Sequence, residues 1–235
     1  MGSTQIRRFL AVSLAAAVSA AACVQQPGAA ATASAPQSAG PFRFADEIAR
    51  FDSLDRVEMP APEGVLFVGS STIRLWPDLK SDFPSVSVIQ RGVGGSRLDE
   101  ILMLTPKIVL PYKPRLIVLY AGDNDLAEGR TATQVFEDYK SFTSLVHRSL
   151  PSTRIVFVSI KPSESRWHLV DQMRAANEMV KRFTATDRRL EYVDVFTPML
   201  GADGRPRPEL FRDDKLHMTP AGYTLWRQLL LSVVK

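Results

Sequence analysis

The chain has 235 residues, 45% of them hydrophobic and 23% charged, which is ordinary for a globular protein and enough for one well-cored domain rather than two. Its formal charge of +4 comes from basic residues scattered along the chain, which excludes the clustered basic footprint of a nucleic-acid binder. The single cysteine, Cys23, excludes a disulfide framework, a thiolate metal site and a cysteine nucleophile in the domain that follows it.

In chain order, residues 1–22 have the pattern of a signal peptide. Arg7 and Arg8 make a basic start, Phe9 to Ala22 an apolar run too short to span a bilayer comfortably, and small residues close it. Removing this leader takes the formal charge from +4 to +2. Cys23 directly follows Ala20-Ala21-Ala22, as in a bacterial lipobox whose thiol carries lipid after cleavage. The expectation is an exported envelope lipoprotein tethered to the membrane through Cys23. An ordinary cut nearby, giving a periplasmic or secreted protein, is the alternative, and the arginine pair leaves the twin-arginine route open. Gln25 to Gly40 holds no large apolar residue, so residues 23–40 are expected to be a flexible tether and residues 41–235 the folded domain.

Phe44, Ile48, Phe51, Leu54 and Asp55 fall at helical spacing and predict an amphipathic helix over 43–57, stopped by Pro60 and Pro62. Five short apolar runs follow, Val65–Gly69, Val86–Gln90, Leu116–Tyr120, Ile155–Ile160 and Tyr192–Val195. They are rich in Val, Ile and Leu and mostly lack polar alternation, as parallel strands buried on both faces do. Helical stretches separate them: Ser96–Leu104 with Ser96 and Asp99 as a capping box, Thr133–Ser149, Arg166–Thr186, and a final helix opened by Thr219-Pro220. This alternation predicts an α/β domain, a parallel sheet with right-handed crossovers and helices on both faces.

In such a sheet the functional loops lie at the carboxyl ends of the strands. After the first strand comes Gly69-Ser70-Ser71-Thr72, where a serine hydroxyl can stand exposed above the sheet, although Gly-Ser-Ser is also common turn sequence. After the second comes Arg91-Gly92-Val93-Gly94-Gly95-Ser96. Its backbone N–H groups could approach a ligand, but the spacing fails the dinucleotide fingerprint because Arg97 holds the last position, and no P-loop motif is present. After the third comes Ala121-Gly122-Asp123-Asn124-Asp125. Asn124 is the informative residue, since a neutral amide can donate to a developing oxyanion that an aspartate would repel. Asp213-Asp214-Lys215-Leu216-His217 precedes the final helix. A carboxylate three residues before an imidazole can accept from Nδ1–H and leave Nε2 as a base. His147 and His168 have no comparable partner.

This order of blocks resembles the SGNH hydrolase family, also called GDSL-like esterases, from about Val65 to the end of the chain. Gly69-Ser70-Ser71-Thr72 is similar to the family's Gly-Asp-Ser-Leu, with Ser70 in place of the usual aspartate, which implies Ser71 as nucleophile. Gly95 matches the glycine of the second block, Asn124 the asparagine of the Gly-x-Asn-Asp block, and Asp214 and His217 the final Asp-x-x-His. The run Leu119–Asp125 and the Arg91–Gly95 loop look most like the branch of platelet-activating-factor acetylhydrolase catalytic subunits. The resemblance implies a flavodoxin-like three-layer α/β/α sandwich on a five-stranded parallel sheet. It also implies a Ser71–His217–Asp214 triad, an oxyanion hole of Ser71 N–H, Gly95 N–H and Asn124, and no metal or organic cofactor. The expected substrate is a small-molecule, carbohydrate or lipid ester, with a short acyl group because no large apolar insertion could cover a long chain. Trp76 and Trp167 are candidates to line its pocket, though packing roles compete. Two rival readings are a catalytically silent binding protein on the same fold, and a phosphate- or nucleotide-binding α/β protein using the Gly92–Ser96 loop.

Overall fold

The computed structural model describes residues 41–235, so the expected signal peptide, the Cys23 lipidation site and the tether lie outside the described residues. After a turn of 3-10 helix at Pro41–Phe44 the elements run α1 (Ala45–Val57), β1 (Val65–Gly69), α2 (Ser71–Arg74), α3 (Leu79–Asp82), β2 (Val88–Gly92), α4 (Leu98–Ile108), β3 (Leu116–Tyr120), α5 (Asp123–Ala127), α6 (Ala132–Ser149), β4 (Arg154–Val158), α7 (Val170–Thr184), β5 (Leu190–Val193) and α8 (Pro220–Leu230).

The five strands form one sheet in the order β2-β1-β3-β4-β5, and every neighbouring pair is parallel. Alternate residues of each strand feed two separate cores. Leu66, Val68, Ile117, Leu119, Ile155 and Phe157 meet α1, α4, α6 and α7 on one face. Val65, Phe67, Leu116, Val118, Val156 and Val158 meet α2, α3 and α8 on the other. Both faces of β1 and β3 are therefore closed to water, which is why these strands read as unbroken apolar runs. The result is the three-layer α/β/α sandwich expected. Its strand order reverses between β1 and β3, and a crevice opens there at the carboxyl ends.

Boundaries differ from the sequence reading for identifiable reasons. β2 runs through Gly92 because an edge strand need not be apolar: the Gln90 side chain donates to the Ile73 and Trp76 carbonyls at 2.7 and 3.0 Å. Its neighbour Arg91 is buried, pairs with Asp55 and donates to Tyr112 Oη at 2.7 Å. β4 stops at Val158 because Asn177 of α7 takes both backbone groups of Ile160, at 2.8 and 2.9 Å. β5 starts at Leu190 rather than Tyr192, and its Glu191 is held by Arg154 of β4. In α1, Phe51 is buried but Leu54 is 49% exposed, so the apolar stripe is narrower than its spacing suggests. α4 begins at Leu98, not Ser96. Glu100 reaches back to the Arg97 N–H at 2.9 Å while Ser96 Oγ turns to the Val93 carbonyl. α7 begins only at Val170, because Arg166 is drawn towards the end of β3.

Candidate active site

The crevice is stitched together by the backbone before any side chain enters it. Ser70 N–H donates to the Tyr120 carbonyl at 3.0 Å and Val93 N–H to the Gly69 carbonyl at 2.7 Å, tying the end of β1 to those of β3 and β2. Gly69 turns the chain here at φ 142°, and a Cβ on it would lie 1.8 Å from the Tyr120 carbonyl oxygen. No other residue fits this corner. Ser71 follows at once as the first residue of α2, half-buried.

From the other side comes the loop before α8. Ser71 Oγ lies 3.1 Å from His217 Nε2, and His217 Nδ1 lies 2.6 Å from Asp214 Oδ2. The second oxygen of Asp214 accepts the N–H groups of Leu216 and His217 at 2.9 and 2.8 Å. Partial burial would push the Asp214 carboxyl up, but the His217 hydrogen bond and these two N–H groups outweigh it and hold it down at about 2. An ionised carboxylate only accepts, so Nδ1 carries the imidazole proton and Nε2 faces the Ser71 hydroxyl as acceptor. The loop is braced from outside by the Ser165 N–H on the Lys215 carbonyl at 3.3 Å, and α8 behind it is tied to α2 by Tyr223 Oη on the Thr72 carbonyl at 3.0 Å.

Asn124, in the first turn of α5, is buried. Its Nδ2 donates to the Ser96 carbonyl at 2.9 Å, and its Oδ1 accepts from Arg166 at 3.0 Å. These bonds fix which way the amide faces and leave one N–H to donate. Neither Gly95 N–H nor Ser71 N–H has a protein acceptor among the described residues. Ser71, by its place, is one of the unpaired donors that open any helix.

Beneath Asn124 lies a cluster that the sequence reading did not assemble. Asp123 is 4% exposed. It accepts from Lys161 Nζ at 2.9 Å, from Arg166 at 2.6 Å and from Tyr120 Oη at 3.2 Å. Burial alone would raise the Asp123 carboxyl, yet the two cations hold it below its ordinary value. The only signal in the sequence was a buried-looking aspartate at the end of an apolar strand, which demands a cation from elsewhere. Asp125, fully buried, accepts the Leu98 N–H with both oxygens at 3.0 Å. Arg43, just before α1, donates to the Gly95 carbonyl at 3.0 Å and to Glu100 at 3.1 Å.

The two tryptophans divide. Trp76 is 1% exposed, packed among Phe67, Phe83, Tyr223 and Trp226, with Nε1 on Asp82. It belongs to the core and lines no pocket. Trp167 is half-buried, with the Arg205 guanidinium 4.6 Å above its ring. His147 holds the Thr153 carbonyl at 3.0 Å, a packing role.

Residues 66–225 match the GDSL-like Lipase/Acylhydrolase family. Among solved structures, a Streptococcus pneumonia protein provisionally named a platelet activating factor superposes with a TM-score of 0.73 at 22% identity, covering 82% of this chain and 92% of that one. A GDSL-like lipase from Bacteroides thetaiotaomicron gives 0.67 at 21% identity, with 81% and 98% covered. A carbohydrate esterase family 3 protein from Talaromyces cellulolyticus gives 0.59 at 17% identity, with 72% and 97% covered. Comparison with curated protein sequences finds no match. The structural likenesses establish the fold, and the match over more than half the sequence establishes the lineage: this chain belongs to the GDSL-like lipase/acylhydrolase family.

Proposed function

We propose that the protein is a serine esterase that hydrolyses carboxylic esters of short acyl groups through an acyl-enzyme on Ser71. The observation that carries this reading is the continuous hydrogen-bonded relay from Asp214 through His217 to Ser71. His217 Nε2 takes the Ser71 proton as Oγ attacks the ester carbonyl, and Asp214 keeps the imidazole in the required tautomer and offsets its positive charge. The tetrahedral oxyanion is received by the N–H groups of Ser71 and Gly95 and by the remaining amide hydrogen of Asn124. His217 then protonates the leaving alcohol. A water molecule, deprotonated by the same nitrogen, attacks the acyl-enzyme and releases the acid and Ser71.

The phosphate-binding alternative is disfavoured by what already occupies the α4 terminus. Carboxylates of Asp125 and Glu100 take the Leu98 and Arg97 N–H groups that an anion would need. Arg91 is engaged with Asp55 rather than turned to the loop.

The test is hydrolysis of a p-nitrophenyl ester series from acetate to decanoate, with Ser71→Ala in parallel. Turnover greatest at the short end and abolished by the substitution is expected, together with fluorophosphonate labelling of Ser71. Folded wild-type protein that neither turns over an ester nor labels would sink the reading and favour a silent binding protein. Export belongs to the same proposal: Arg7, Arg8, the apolar run to Ala22 and Cys23 support a cleaved leader with a lipid-bearing Cys23. The mass of the mature N-terminal peptide decides between lipidated Cys23 and an ordinary cut.

A further inference from the structure

α2 places a second functional-looking group beside Ser71. Arg74 stands three residues on, the spacing that puts two helical side chains on one face. Its exposed guanidinium makes no hydrogen bond or ion pair with any described residue. No carboxylate outside the described residues could neutralise it, because positions 1–40 contain no Asp or Glu. Most other arginines around the crevice are paired: Arg43 with Glu100, Arg97 with Asp99 and Glu128, Arg166 with Asp123.

Its place is shaped by glycines. A Cβ on Gly92 would strike the Arg74 backbone nitrogen at 2.2 Å, so α2 lies directly on that residue. A Cβ on Gly94 would lie 2.7 Å from Arg74 Nε and 3.1 Å from Cζ, so the guanidinium rests against the bare backbone of Gly94. Gly95, whose N–H faces the reaction centre in the proposed mechanism, is the next residue. Backbone geometry then confines Arg74 Cζ to within roughly 7 Å of the Gly95 nitrogen. Any non-glycine side chain at position 94 would push the cation away. The Arg212 side chain, on the loop that carries His217, likewise has no carboxylate partner among the described residues and donates to the Met218 carbonyl at 2.9 Å.

Resting on the esterase reading, we propose that Arg74 recognises an anionic group of the substrate, a carboxylate, phosphate or sulfate a few bonds from the scissile ester. The substrate class is then an acidic ester rather than a neutral one. A guanidinium that is exposed, unneutralised and held beside the oxyanion loop supplies a fork of donors to such a group.

The experiment compares matched esters that differ in charge: mono-p-nitrophenyl succinate against p-nitrophenyl butyrate on the acyl side, and 4-acetoxybenzoate against its methyl ester on the alcohol side. The readout is the ratio of kcat/KM, charged over neutral. A ratio of roughly 10–100 is expected for one pair, the worth of a charge-assisted hydrogen bond, falling towards 1 in Arg74→Gln and partly kept in Arg74→Lys. High salt should shrink the wild-type ratio, a check that needs no variant. A wild-type ratio near 1 for both pairs, or a ratio unchanged in Arg74→Gln with a wild-type melting curve, overturns the proposal while leaving the esterase reading intact. Absence of turnover on all four esters, with no fluorophosphonate labelling, overturns both.

Discussion

Asn124 is held at three corners, by the Ser96 carbonyl, by Arg166 and by its own helix, so little of its amide is free to rearrange. Loss of one preorganised oxyanion donor costs ~100–1,000-fold in rate. Asn124→Ala is therefore expected to lower kcat by that factor with KM little changed, as steady-state kinetics will show, while the two lost side-chain hydrogen bonds lower the melting temperature in a thermal melt without preventing folding. Asp214→Asn keeps the shape of the loop but offers its NH2 or carbonyl to Nδ1 without charge, and a fall in kcat of about 10,000-fold is expected from the tautomer argument. These candidate-site residues were readable because they are near one another in sequence or stand at strand ends: Asp214 and His217 are three apart, and Ser71 and Asn124 each follow an apolar run. Arg166, Lys161 and Arg43 were not readable. They act on groups 42, 38 and 52 residues away, and nothing in their own surroundings distinguishes them from surface cations.

The start of α4 shows how an element can be capped from a distance. Asp125 sits in a different helix, yet its carboxylate closes the Leu98 N–H while enclosed by protein. Burial drives its pKa up to about 7 from an ordinary 3.8, against the pull of the Leu98 N–H and Arg130. The folded state thus keeps a proton through a window where the unfolded chain has lost it, and stability falls as pH rises from about 4 to about 7. Thermal melts across that window should show the decline, and Asp125→Asn should flatten it. A decline of the same slope in the variant would place its origin elsewhere. Elements themselves were legible in proportion to their burial. β1 and β3, closed on both faces, begin and end where their apolar runs do. The edge strands β2 and β5 drift by two residues because Gln90, Arg91 and Glu191 satisfy their polarity through side-chain partners, which a hydrophobic run does not reveal.

At the scale of the molecule, two cores share one sheet, and the smaller rests on aromatic side chains. Trp226 is fully buried and meets both Trp76 and Tyr120 edge-on, at 6.3 and 5.0 Å between ring centres. Trp226→Ala should cost ~3–5 kcal/mol, read as a shift in denaturant midpoint, and should loosen the α8 side of the crevice with it. The alternation of strands and helices made the layering legible. The strand order was not legible from the residues, since five similar apolar runs can be ordered in several ways, and it is the structure that supplies it. That order has a consequence in time. Ser71 and His217 meet across 146 residues of sequence, the first at the head of the sheet and the second beyond its last strand. A growing chain therefore carries Ser71 through nearly the whole of synthesis before His217 exists to pair with it. On the esterase reading proposed above, ester cleavage would switch on only once β5 has docked and the loop behind it has closed, leaving the polypeptide chemically silent until it is folded.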